Sequence, residues 1–157
     1  MSWIEDGFFS LSELEDYLPK HKPKKKVAVI ECLQEIPCNA CFESCKFDAV
    51  LMKNIIDVPK VDFEKCTGCM ACIKICPGLA IFMVQYKNSK ARVTIPYEFL
   101  SLPKRGDEVK VLDREGKKIG VGRVVFVLDP ERNAKTALVT LEVKEELANL
   151  VRNLRVI

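Results

Sequence analysis

The sequence predicts an α+β protein in two parts, a compact cysteine-rich unit with an internal repeat and a small, mostly-β, barrel-like domain with a C-terminal helix. Three observations support this prediction. All eight cysteines lie between residues 32 and 76. The cysteine-rich segment resembles itself at an offset of 31 residues. From about residue 88, β-branched residues alternate with charged ones. We therefore divide the chain into an arm and linker (1–26), the cysteine-rich unit (27–87) and the β-rich unit (88–157).

The N-terminal arm contains one predicted short helix. Ser10 and Glu13 form a capping-box pattern, and Leu14, Tyr17 and Leu18 follow at helical spacing. The apolar residues that precede this helix either pack on the protein's own surface or dock on a partner subunit. The basic linker 20–26 is a solvated surface or a contact for an acidic partner.

The cysteine-rich unit contains one motif of high specificity. Residues 66–77 read C-x2-C-x2-C-x3-C-P, the ligand run of a bacterial-type iron–sulfur site. Gly68 supplies the permissive backbone that a tight ligand loop needs. In such runs the first three thiolates bind one cluster and the fourth binds a second cluster. The motif therefore predicts another half-site.

The second half-site comes earlier in the chain. Cys38, Cys41 and Cys45 precede Cys69, Cys72 and Cys76 by 31 positions, and flanking apolar residues match at the same offset. This duplication resembles the two-cluster ferredoxin domain over residues 27–87. The resemblance implies two [4Fe-4S] clusters in a compact α+β unit with a pseudo-two-fold axis.

The repeat departs from itself at one ligand position. Glu35 stands where the second copy has Cys66, and Cys32 is the nearest spare thiol. With Cys32 as the missing ligand, cross-ligation assigns Cys32, Cys38, Cys41 and Cys76 to cluster 1 and Cys45, Cys66, Cys69 and Cys72 to cluster 2. A three-iron cluster 1, or ligation by Glu35, is the open alternative.

Two other interpretations of the cysteines are weaker. A disulfide framework suits secreted proteins, but residues 1–19 carry acidic residues and no apolar signal-peptide core. We therefore expect a cytoplasmic protein. Zinc sites with four cysteines use two separated C-x2-C pairs, whereas here each run continues to a further cysteine and the pattern repeats.

Composition argues against two classes of partner, nucleic acid and the membrane interior. The formal charge of +3 treats the cysteines as neutral, and thiolate ligands with two oxidised clusters bring the total to about −1. A nucleic-acid partner is thus not indicated. No apolar run approaches the ~18 residues that suggest a membrane span.

The β-rich unit has strand patterns but no catalytic motif. Strands are predicted at 91–95, 108–112, 119–128 and 136–143, after an earlier strand at 27–30. Gly120 and Gly122 suggest a bulge in the third of the later strands. The segment 145–154 places Leu147, Val151 and Leu154 on one stripe and predicts the C-terminal helix. We interpret this unit as a scaffold or docking module.

The segment 31–41 with its C-x5-C-x2-C-x3-C spacing, together with the β-rich tail, supports a more specific resemblance. The chain is similar to the ferredoxin-like small subunit of microbial FAD-dependent amino-acid and amine dehydrogenase complexes, such as proline or hydroxyproline dehydrogenases and sarcosine-oxidase-like assemblies. That resemblance implies a non-catalytic subunit of a hetero-oligomer, which carries single electrons from FAD or FMN in a partner subunit. The alternatives are a free-standing two-cluster ferredoxin, an iron–sulfur regulatory protein that binds nucleic acid, and a zinc-stabilised module.

Overall fold

The computed structural model describes residues 2–129 and 136–157. Its elements are α1 (Ser2–Asp6), α2 (Leu11–Leu14), β1 (Val27–Ile30), α3 (Ala40–Ser44), β2 (Val50–Leu51), β3 (Lys60–Val61), α4 (Ala71–Ile75), β4 (Ile81–Lys87), β5 (Lys90–Tyr97), β6 (Glu108–Leu112), β7 (Lys118–Leu128), β8 (Ala137–Lys144) and β9 (Asn153–Val156). Single 3-10 turns occupy Glu15–Tyr17 and Glu145–Leu147. The protein is mostly β-sheet with few, short helices, and no described helix has the length and apolar character for crossing a bilayer.

One antiparallel sheet runs through both predicted parts of the chain. Its strand order is β1-β4-β5-β8-β7-β6-β9, and β2 and β3 form a separate two-stranded ladder. The predicted boundary between residues 87 and 88 lies at the turn of the β4–β5 hairpin, where Asn88 and Ser89 both have positive φ, as a tight two-residue turn requires. The division into domains at this point stays a prediction.

Two apolar cores lie along the sheet, and each draws on both sides of that boundary. The larger core packs Val29 and Val84 with residues of β5 to β9, including Val93 and Leu141. The smaller core packs Ile73 and Ile81 against the cysteine loops, with Leu138 of β8 contributing. The cysteine-rich unit therefore packs against the β-rich unit.

The predicted C-terminal helix over 145–154 is wrong. After the short 3-10 turn, the chain extends and β9 pairs with β6, with Val111 opposite Leu154. The Arg152 amide also donates to the Leu112 carbonyl at 2.9 Å. The free edge of β6 offers backbone partners that an isolated ten-residue helix cannot match, because helical propensity is a weak preference compared with tertiary pairing. In this conformation Val151 and Leu154 are buried and Leu147 is partly buried.

Other predicted elements agree closely with the structure. The capping box is present, since the Ser10 amide donates to the Glu13 carboxylate at 2.9 Å. The strands at 27–30 and 108–112 have the predicted bounds. The irregularity predicted near Gly120 is confirmed. Val111 pairs with Gly120, but the next residue of β6, Leu112, pairs with Lys118, so β7 has one extra residue at this point. The described sheet has free edges at β1 and β9, so its hydrogen-bonded ladder is open rather than closed into a barrel.

Candidate metal centres

The two cysteine runs share several features of local structure. Helices α3 and α4 are each five residues long, start 31 positions apart and are followed directly by Cys45 and Cys76. The amides of Ala49 and Ala80 each donate to the sulfur of the cysteine four residues earlier, both at 3.4 Å. The β1–β4 and β2–β3 ladders extend the correspondence, because Ile30 pairs with Ile81 and Val50 with Val61. The sequence duplication is therefore also a duplication of local structure.

Four thiols line a first cavity. They are Cys32, Cys38, Cys41 and Cys76, and the other walls include apolar side chains and Gln34. The Cys38 amide donates to the carbonyls of Ile36 and Ile55, at 2.8 and 3.1 Å, which holds this irregular loop in place. Glu35 is exposed and is not among the residues that line the cavity.

Four other thiols line a second cavity. They are Cys45, Cys66, Cys69 and Cys72. The Ala28 amide of β1 donates to the Cys66 sulfur at 3.3 Å, which connects this loop to the main sheet. Cys69 is exposed, whereas Cys66 and Cys72 are buried and the remaining cysteines are partly buried. The eight cysteines thus line two cavities, four to each, and their roles as cluster ligands stay predictions.

The electrostatics of the thiols reflect this crowding. Burial, followed by the neighbouring Cys66 thiol, raises the pKa of Cys72 to about 12. Burial raises the pKa of Cys41 to about 11, with smaller contributions from Cys76 and Cys32. Burial also acts to raise the pKa of Cys45, but the amides of Phe47, Ala49 and Val50 outweigh it and leave the pKa lowered. Ligation at Cys41 and Cys72 therefore requires that a bound metal displace a proton.

The thiols surround cavities rather than a single point. Within residues 2–129 and 136–157, no three His, Cys, Asp or Glu side chains are close enough together to hold one metal ion. A cluster differs from a single ion because iron and sulfide fill the space between the cysteine ligands. Four thiols around each cavity therefore suit a cluster better than a lone ion.

Gly68 is required where the second ligand loop crosses the linker. Its φ is +73°, and a Cβ at this position would lie 2.5 Å from the backbone oxygen of Lys26. Since that neighbour is backbone, it cannot move aside as a flexible side chain does. The loop is therefore packed tightly on the residue that precedes β1.

We expect Gly68→Ala to destabilise the protein, by about 1–3 kcal/mol from backbone strain and more from the contact with Lys26. The expected result is a fall of several degrees in the thermal unfolding midpoint, with loss of iron from the second cavity. Gly78→Ala is the matched control, because a Cβ there meets nothing within 4 Å and its φ is not positive. Equal midpoints for the two variants would contradict this account of the loop.

A buried ion triad beside the first cavity was not identified from the sequence. Glu31 directly precedes Cys32 and accepts from Arg114 Nε at 2.9 Å and from Arg152 Nε at 2.7 Å. The Arg152 guanidinium also lies 4.9 Å from the centroid of the Phe82 ring. These residues are separated by 83 and 121 positions, so no local pattern signals their contact.

Comparison with known proteins supports an iron–sulfur site. The 4Fe-4S binding domain family matches residues 59–82. The chain is 34% identical over 79 residues to a "Ferredoxin-type protein NapF" of Haemophilus influenzae, which covers 48% of the chain and 44% of that protein. It is 37% identical over 62 residues to a subunit of an ion-translocating oxidoreductase complex of Methanosarcina acetivorans, which covers 40% of the chain and 22% of that protein. No solved structure matches.

The chain therefore carries a 4Fe-4S ferredoxin-type domain and is homologous to ferredoxin-type electron-transfer proteins. It spans less than half the length of either relative. Electron transfer by iron–sulfur chemistry is the function that these findings support.

Proposed function

We propose that this chain is an electron-transfer subunit that holds two [4Fe-4S] clusters. Cys32, Cys38, Cys41 and Cys76 hold cluster 1 in the first cavity, and Cys45, Cys66, Cys69 and Cys72 hold cluster 2 in the second. The observation that carries the proposal is the division of eight thiols into two separate cavities, four to each. Each set has the donor chemistry that such clusters take, namely four cysteine thiolates.

The chain's own residues bind the clusters and set their surroundings. Amides of Ala28, Ala49 and Ala80 donate to cysteine sulfurs, and such hydrogen bonds stabilise the more negative, reduced state of a cluster. Apolar side chains limit access of water to both cavities. When bound, the clusters supply one-electron redox chemistry. The protein contributes no acid, base or nucleophile to this function.

The two proposed centres are close to each other. The Cys41 thiol of the first cavity contributes to the raised pKa of Cys72 in the second. Helices α3 and α4, which carry these two residues, are in contact. A short separation favours rapid passage of one electron from one cluster to the other.

We further propose that the electrons come from FAD or FMN in a partner dehydrogenase subunit, so that the chain works in a hetero-oligomer in the cytoplasm. The resemblance of the C-x5-C-x2-C-x3-C run to such small subunits supports this. Around the two cavities, Ile36, Phe47, Ile55 and Ile75 are exposed. Contiguous exposed apolar residues are typical of surfaces that a partner covers.

A free-standing ferredoxin is the second candidate, and the similarity to a protein named as ferredoxin-type favours it. The two functions differ in the purified state of the native protein. A dehydrogenase subunit copurifies with a flavoprotein in stoichiometric amounts, whereas a free ferredoxin purifies alone.

Metal analysis and EPR of anaerobically purified chain test the proposal directly. We expect about eight irons and about eight acid-labile sulfides per chain, with spin-coupled signals from two reduced clusters. The isolated chain should oxidise neither proline nor sarcosine in the presence of a dye acceptor. Zinc without sulfide, or substrate turnover by the isolated chain, would falsify the proposal.

A further inference from the structure

A basic groove crosses the sheet next to the second cavity. It has a volume of about 600 Å³. Its cations come from the linker, β5, the turn before β6, and β7; they are Lys26, Arg92, Arg105 and Arg123. We call this surface the basic groove.

The cations of the basic groove are only partly neutralised. Glu142 is its one acidic lining residue, and that carboxylate already accepts from Lys90 at 3.0 Å and lies 3.6 Å from Arg92. Glu108 and Glu142 are the cross-strand neighbours of Arg123. Yet among residues 2–129 and 136–157, neither Arg105 nor Arg123 has an ion-pair partner within 4.0 Å. An adjoining cleft adds Lys144 to the same positive surface.

The basic groove reaches the edge of the second cavity. Met70 lines both the groove and the cavity. Lys26 Nζ lies 3.7 Å from the Met70 sulfur, so the groove's cations begin beside the ligand loop. Cys69, the neighbour of Met70, is the exposed cysteine of the cluster unit. A molecule seated in the groove thus lies against the most accessible part of the proposed cluster 2.

We propose that the basic groove is the docking site for an acidic protein electron carrier that exchanges electrons with cluster 2. This inference rests on the proposed function, which supplies the cluster. The partner's redox centre takes one electron from reduced cluster 2, which becomes oxidised by one electron. No bond forms or breaks, and no proton moves.

The chemistry of the basic groove favours an acidic protein over a nucleic acid. Glu142 lines the groove among its cations, and Glu108 lines the adjoining cleft. A continuous phosphate backbone that followed this positive surface would meet both carboxylates. Phe126 is the one aromatic side chain that lines the groove, so successive bases would find no stacking platform. A protein partner, in contrast, can present acidic residues opposite the cations alone and avoid the two carboxylates.

The basic groove differs in chemical character from the apolar residues that are exposed around the two cavities. Those residues suit a permanent partner, while a charged surface beside an exposed ligand suits rapid, salt-sensitive encounters. The two surfaces together give the subunit an attached partner and an exchangeable one.

Stopped-flow electron transfer to two haem proteins of opposite charge tests the inference. The full chain, reduced and freed of reductant, is mixed with ferric cytochrome b5, which is acidic, or ferric cytochrome c, which is basic. The groove variant is R105E/R123E. The control K110E/R155E makes the same change in charge at two residues that face each other in the β6–β9 ladder, outside the groove.

We expect the groove variant to lower the second-order rate constant with cytochrome b5 by tenfold or more at low salt, without lowering that with cytochrome c. The control should stay within threefold of the unmodified protein, and added salt should reduce the difference between variants. Equal rates for both variants would overturn the docking inference.

Two further readouts separate the possible failures. Iron content and EPR are measured on each sample, so absence of reducible clusters defeats the proposed function, whereas intact clusters with unchanged rates defeat only the docking site. Binding of a fluorescent single-stranded DNA is measured in parallel. Tight DNA binding that the groove variant loses, with unchanged transfer to cytochrome b5, would assign the groove to nucleic acid and refute a protein partner.

Discussion

Replacing Cys32 with serine is expected to leave cluster 1 incomplete. The variant should contain about seven irons per chain if a three-iron centre remains, or about four if cluster 1 is lost, in place of about eight. The coupled EPR signal of two reduced [4Fe-4S] clusters should disappear in both cases, because only one [4Fe-4S] cluster remains. The physical reason is that Cys32 supplies one of the four thiols at the first cavity.

Glu35→Gln is the matched control for that experiment. Glu35 occupies the position that the repeat assigns to a ligand, but it is exposed and lies outside the cavity lining. We expect E35Q to keep about eight irons and the coupled signal. The assignment of Cys32 fails if C32S keeps the coupled clusters while E35Q loses them.

Replacing Glu31 with glutamine is expected to be the most destabilising conservative change in the chain. It removes the only negative charge of the ion triad and leaves Arg114 and Arg152 buried, with 10% and 3% of their side chains exposed. Breaking a buried pair from one side costs about 3–5 kcal/mol. The thermal midpoint of the anaerobic protein should fall by about 10 °C or more.

Glu142→Gln provides the comparison for Glu31. Glu142 also pairs with two cations, Lys90 and Arg92, but it lies at the surface with 24% of its side chain exposed. Solvent screens these contacts, so its loss should cost less than about 1 kcal/mol. Similar midpoint shifts for E31Q and E142Q would show that the triad contributes no more than a surface pair.

The dependence on pH gives the Glu31 experiment a second readout. Burial acts to raise the pKa of Glu31, but Arg152 and Arg114 outweigh it and hold that pKa below its ordinary value of 4.5. A carboxylate with a lowered folded-state pKa stabilises the protein above the ordinary value and loses this effect as pH falls through the lowered one. The difference in midpoint between the unmodified protein and E31Q should therefore be constant near neutral pH and shrink below about 4.5.

Local patterns in the sequence predicted much of the fold. Alternating β-branched residues located β1 and β6 with the bounds that the structure gives, and the capping box located α2. The C-terminal helix was wrong because its pattern of Leu147, Val151 and Leu154 is compatible with burial in more than one conformation. The free edge of β6 decides between them, and that edge is distant in the chain.

In the candidate site, too, some features were predicted from local patterns and others depend on distant contacts. Because ligand loops are local, the spacing of Cys66, Cys69 and Cys72 was sufficient to identify one half-site, and the repeat identified the other. Neither the ion triad nor the basic groove has such a signature. Their residues lie on elements that are far apart in the chain and come together only in the folded sheet.

By itself, the sequence determined that this protein has two cysteine runs, related by a 31-residue repeat, with strands at either side. The reason is that motif spacing and side-chain periodicity act over a few residues. Tertiary structure alone decided that one sheet joins the two parts, that the tail is a strand, and that Glu31 lies between two arginines. Those features depend on contacts between residues far apart in the chain, and no local sequence pattern indicates such contacts.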